Sequence, residues 1–182
     1  MGGPGFVDGQ AHNELDNFDP CKFTVNGVEY YSAENYFQCQ KATTPEDHER
    51  VRQAGSGVAV WSAGLRVNPL RSDWESIKVE QMYIGNKAKF EQNPRWANIL
   101  CESVGRITFR ASTSFWNGWN GLLLERIRAE LRHNGIEDDK TVMRVKKMME
   151  QYANDHREIE TNMVTLPRNS FIKWFADKTS SS

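Results

Sequence analysis

The chain has 182 residues, with 23 Lys+Arg against 24 Asp+Glu and a formal net charge of -1. This length suits one ordinary domain with a sizeable core. The balanced charge excludes a global basic field that would coat nucleic acid without regard to sequence.

Cys21, Cys39 and Cys101 are odd in number, far apart and free of any CxxC or Cys/His zinc spacing. The expectation is therefore reduced cysteines, no metal and no cofactor. The opening MGGPGF carries no apolar stretch, and Phe6 stands where a myristoylation signal wants Ser or Thr. No apolar run approaches the roughly 20 residues that span a bilayer. An intracellular protein, cytoplasmic or nuclear, with no membrane partner is expected.

In chain order, residues 1–20 are rich in Gly, Asn and Asp and read as loop, with 1–16 a flexible N-terminal segment. Asn26-Gly27 between the β-prone arms of Lys22–Tyr31 predicts a tight hairpin. Ser32 suits an N-cap for a helix over Ala33–Thr43. Pro45 opens a second helix ending near Gly55, and Val58–Leu65 predicts a third. Ser72 caps the longest predicted helix, Asp73 to about Asn93, which Pro94 stops; another follows over Arg95–Ser103. Ile107–Phe109 is a strand candidate. The Trp116–Gly121 stretch, with two WNG steps, reads as a loop leading into an amphipathic helix over Leu122–His133.

Beyond Gly135, Asp139–Asn154 predicts a charged helix with Val142, Val145, Met148, Met149 and Tyr152 on its apolar side. Residues 134–182 are expected to form a helical C-terminal extension packed on the core. That extension includes a buried Phe171, Trp174 and Phe175 cluster and ends in a disordered Ser-rich tail. The fold class is α+β, a mostly helical single domain with a small β element.

Glu34, Gln38 and Lys41 stand at i, i+4 and i+7 and would share one helix face. Spacing alone favours an ordinary surface: the helix dipole favours an anion near the start and a cation near the end.

A larger pattern decides between these readings. NGVEYYSAENYFQCQKA (26–42), Gly64 and Arg66, LRSDWESIK (70–78), KFEQN (89–93) and a Trp-containing loop before LLLERIRAEL stand in one order after Asn17-Phe18. In this the chain resembles the NADAR family of YbiA-like N-glycosidases, over about Asn17 to Leu131, so that 17–133 is expected to be the catalytic domain. The resemblance implies hydrolysis of N-glycosyl bonds without a metal. It implies roles for Glu34, for Lys41 and for Trp74 of the D-W-E block. Family substrates are of two kinds: ADP-ribose on guanine bases, and ribosylaminouracil-phosphate intermediates of riboflavin biosynthesis. One departure stands out: the family commonly has an Asp three residues before the loop Trp, where this chain has Thr113.

Breaking a ribosyl–amine bond builds positive charge at the anomeric carbon, which an ionised Glu34 would stabilise. Lys41 offers a second route, through ring opening and a Schiff base, that needs no second carboxylate. Nearby Glu34 should hold Lys41 charged, so this route requires desolvation of the lysine. Trp74 and Trp116 are candidates to stack on a base. Gln38 lines the ridge, and Asn17, Arg66, Asn117 and Asn120 are candidates for ribose hydroxyls or phosphate. Trp61 and Trp96 read as core, and the scattered His12, His48, His133 and His156 as surface. The expected partner is an ADP-ribose-containing substrate, ADP-ribosylated guanine in nucleic acid. A small riboflavin intermediate and a non-catalytic ADP-ribose binder are the alternatives.

Overall fold

The computed structural model describes residues 2–165. Two antiparallel hairpins and seven α-helices make up the described part. The first hairpin pairs β1 (Gly5–Val7) with β2 (Gln10–His12). This corrects the reading of residues 1–20 as loop. Asp8 and Gly9 both have positive φ, 55° and 74°, as a tight hairpin turn of the favoured twist requires. Val7 is buried, and so is Leu15 in the single 3-10 turn that follows. The second hairpin, β3 (Phe23–Val25) with β4 (Val28–Tyr30), turns at Asn26-Gly27 as its sequence predicts.

Helix α1 covers Ala33–Cys39, and the Ser32 side chain accepts from the Asn35 N–H at 3.0 Å. Thr44 caps α2 (Pro45–Arg52) in the same way. Helix α3 covers Gly57–Leu65, α4 Trp74–Gln92 and α5 Pro94–Glu102. Ile107–Phe109 forms no strand; its Thr108 makes one isolated bridge to Phe6.

The WNG steps are helical. Helix α6 runs Ser114–Arg132, starting where the Thr113 hydroxyl accepts from the Trp116 N–H at 3.4 Å. Local propensity disfavours a helix through two Gly and two Asn, but tertiary fit outweighs it. At Gly121 an added Cβ would collide with the Ile107 carbonyl, so only glycine lets the chain pass this close. Helix α7, Ile136–Thr165, is longer than α4 and lies against α4 and α6, with Val145 and Met149 buried between them. The Phe171, Trp174 and Phe175 cluster and the Ser-rich tail lie outside the described residues.

Helix α4 is the spine of the domain. Its Ala88 joins a core with the second hairpin, α1 and α3, and its Phe90 joins another with the first hairpin, α5 and α6. Its Val79 and Met82 meet Phe37, Trp116 and α7 in a third. The short helix α1 thus sits where two of these cores meet, and all seven of its residues are buried. No helix among the described residues is long and apolar enough to cross a membrane.

Candidate active site

Glu34 lies in the first turn of α1 and is fully buried. Its backbone N–H donates to the Asn17 carbonyl at 2.9 Å, and its Oε1 accepts from Gln38 Nε2 at 2.7 Å. Gln38 is itself held against α3: a Cβ on Gly64 would overlap the Gln38 side chain. The remaining Gln38 oxygen is buried without a hydrogen-bond partner.

Asn17 is the hub of a buried amide chain. Its Nδ2 donates to Asn120 Oδ1 at 3.3 Å, and its Oδ1 accepts from Asn86 Nδ2 at 2.9 Å. The Asn120 amide nitrogen has no partner. Three separated parts of the sequence are thereby tied behind Glu34. Nearby, the fully buried Lys89 donates to the Glu14 and Asp16 carbonyls, both at 2.8 Å, and pins the segment that leads into Asn17.

Lys41 lies beyond the end of α1, which stops at Cys39 rather than continuing to Thr43. Its backbone N–H reaches Gln38 O at 3.3 Å, a tightened turn, and its carbonyl accepts from the Arg71 N–H at 3.4 Å. The ammonium stands over the rings of Trp74, 5.6 Å from the centroid, and Phe37, at 5.9 Å. Burial pushes its pKa below the ordinary lysine value, while the charge of Glu34 is the largest influence acting the other way. Desolvation outweighs that charge, so the net shift is downward.

Trp74 and Trp116 are both buried, and their rings pack on Phe37 at 5.0 and 5.1 Å. With Phe37 they form an aromatic wall whose Trp74 and Phe37 rings lie under Lys41, and neither tryptophan presents an open face. Trp61 is exposed, at 37%, contrary to the core placement expected of it. Trp96 is half-buried and donates to Asp19 at 2.8 Å. His48 is half-buried too, 3.0 Å from the Tyr30 hydroxyl, so it is not a plain surface histidine.

A cleft of about 410 Å³ is lined by Phe18, Trp61, Thr113 and their neighbours. Each of the three connects to the Glu34 region. Phe18 follows Asn17, Trp61 precedes Gly64 by one turn, and Thr113 caps the helix whose Trp116 meets Phe37. Glu34 itself has no exposed surface and does not line this cleft.

Of the residues singled out in the sequence, the structure brings together Glu34, Gln38, Lys41, Asn17, Asn120, Trp74 and Trp116. Arg66 is exposed at the end of α3. The Asn117 side chain is spent on Ser112, exchanging two 3.0 Å hydrogen bonds with its backbone. Sequence reasoning gave no site role to Phe18, Asn86 or Lys89, although Asn86 and Lys89 stand three apart, on one face of α4 that proves buried. Among the described residues, no group of His, Cys, Asp or Glu is arranged to hold a metal.

A buried Glu34, a desolvated Lys41 amine just past the end of α1 and an aromatic wall lie together in a small helical α+β domain. The NADAR domain family matches residues 6–132, and the chain belongs to that family. The N-glycosidase YbiA of Shigella boydii is 29% identical over 114 residues, covering 60% of this chain and 71% of that protein. A riboflavin biosynthesis protein of Vibrio vulnificus is 34% identical over 137 residues, 69% of this chain and 37% of its own length. The NMR structure of the Escherichia coli protein YbiA aligns with a TM-score of 0.60 at 27% identity, over 66% of this chain and 78% of that one.

Proposed function

We propose that this chain is an N-glycosidase that releases ADP-ribose from guanine bases of nucleic acid or nucleotides. The observation that carries the reading is the pairing of Glu34, fixed by Gln38, with Lys41, desolvated over Trp74 and Phe37.

In this mechanism Glu34 faces the anomeric carbon and stabilises its developing charge. The exocyclic nitrogen of guanine pushes out the ring oxygen, which takes up a proton, leaving an imine at C1′. Neutral Lys41 adds to that carbon, and the guanine amine departs with a proton. Water then hydrolyses the lysine imine, regenerating the amine and freeing the sugar aldehyde, which recloses. No second carboxylate is needed, in keeping with Thr113 at the cleft rim. Movement of the Phe18 and Trp61 rim admits the substrate.

The name of the Vibrio vulnificus relative, a riboflavin biosynthesis protein, favours a second reading, in which an N-glycosyl bond is cut in a ribosylaminouracil phosphate.

The test is incubation with guanine-ADP-ribosylated oligonucleotide and, separately, with the ribosylaminouracil phosphate, followed by mass spectrometry of the released sugar. ADP-ribose released by the native chain and not by Glu34→Gln supports the proposal. Release from the pyrimidine alone moves the assignment to the second reading. Binding of ADP-ribose with no release from either substrate means a binding module and sinks the enzyme reading.

A further inference from the structure

At the far end of α6 from Thr113, a second cleft of about 460 Å³ opens between α6 and α7. Arg128 lies 12 residues beyond Trp116 on this helix, about 18 Å at the helical rise. Four arginines line the cleft, Arg106, Arg128, Arg132 and Arg144, against two carboxylates, Glu125 and Asp138.

The hydrogen bonds show which sign is left over. Asp138 accepts from Arg132 at 2.7 Å and from the Asn134 N–H at 3.0 Å, one on each oxygen. Glu125 accepts from the Ile107 N–H at 3.1 Å and from Arg144 at 3.4 Å, again one on each oxygen. Both acids are thus engaged. The arginines keep spare donors. Arg128 is 7% exposed and clamped by Ser103 and Gly105, yet its Nε–H is buried without a partner. A buried guanidinium donor left unpaired is costly unless something occupies it.

We infer that this cleft binds a phosphate-type oxyanion, which would fork onto the arginines. The family match ends at residue 132, so α7 supplies Asp138 and Arg144 from outside it. Its ligand chemistry is met by a free diphosphate-type anion or by the phosphodiesters of a nucleic-acid strand.

The experiment is an NMR titration of the full chain at low salt, following the Gly105, Ala129 and Thr141 amides. One arm adds inorganic pyrophosphate and the other a short single-stranded oligonucleotide. Arg106→Ala combined with Arg144→Ala is the control variant, since both residues are exposed and the surface pair of Arg144 with Glu125 contributes little to stability. Saturable shifts at these amides, weakened about tenfold or more in the double variant, support the site. Pyrophosphate alone identifies a small anion, whereas response to the oligonucleotide identifies a strand. No shift at these amides with either probe, or equal binding by the folded double variant, overturns the inference.

Discussion

Gln38 donates to Glu34 at 2.7 Å across one helical turn, and the bare face of Gly64 holds the donor in place. The carboxyl group is therefore oriented by a side chain packed tightly against α3. Gln38→Leu keeps the volume close and the helix intact but removes this charge-assisted bond. Such bonds contribute about 1.5–3 kcal/mol, so kcat should fall about tenfold to a hundredfold, with an unchanged far-UV circular dichroism spectrum. Initial rates on the cleaved substrate measure this. A Gln38→Leu enzyme of native rate would show that Glu34 needs no such orientation.

Thr113 stands where the resemblance leads one to expect an Asp, and here it acts as a helix cap. Asp is as good a cap as Thr and is favoured by the helix dipole. Thr113→Asp should thus unfold at the native midpoint or slightly above. Thr113→Ala should lose about 1 kcal/mol, read from urea denaturation of the two variants side by side. Equal stability for the Ala variant would mean that the long 3.4 Å bond to Trp116 contributes nothing.

What was legible in the sequence follows from how locally each feature is determined. The Ser32 cap and the Asn26-Gly27 turn are set by their own residues, and both stand where they were read. The Asp8-Gly9 turn carries the same chemistry but is hidden within a Gly- and Asp-rich stretch that resembles loop throughout. Helix α6 was misplaced because Gly121 is selected by the Ile107 carbonyl, a contact no local pattern reveals. Lys41 reached the site although its helix ends two residues earlier, because the turn at Gln38 and the bond from Arg71 carry it there. The Asn17, Asn86 and Asn120 chain was illegible as a unit, since its members are far apart in sequence.

Lys89 makes stability depend on pH in a direction opposite to that of most paired lysines. Burial lowers its pKa from 10.5 to about 8, against the pull of the nearby acids and Cys21. Below pH 8 both folded and unfolded chains carry the proton, and the folded state bears the cost of a buried charge. Between about 8 and 10.5 the unfolded chain holds more protons, so this residue's contribution rises with pH by about 1 kcal/mol per unit. The native chain should therefore gain stability relative to Lys89→Met across that window, as measured by urea midpoints at pH 7, 8, 9 and 10. The variant should be weaker at every pH, because the Glu14 and Asp16 carbonyls lose their donor. A constant difference between the two proteins would place the Lys89 pKa outside this range.

Lys41 carries the most exacting prediction. Its amine is held below the ordinary lysine pKa by burial, with Glu34 and Glu75 opposing the shift. If the neutral amine attacks C1′, the rate should climb with pH as that proton leaves, and the climb should begin at lower pH than for a solvent-exposed lysine. Glu34→Gln removes the main opposing charge, so the Lys41 pKa should fall further, even though this variant has lost its turnover. That separates titration from catalysis, and 15N or 13C NMR of a labelled lysine can follow it directly. Borohydride added during turnover should leave a reduced sugar adduct on the peptide containing Lys41, and none in Lys41→Arg, whose guanidinium stays charged. Turnover at full rate in Lys41→Arg, with no adduct in the native chain, would eliminate the covalent route and leave Glu34 with water as the attacking pair.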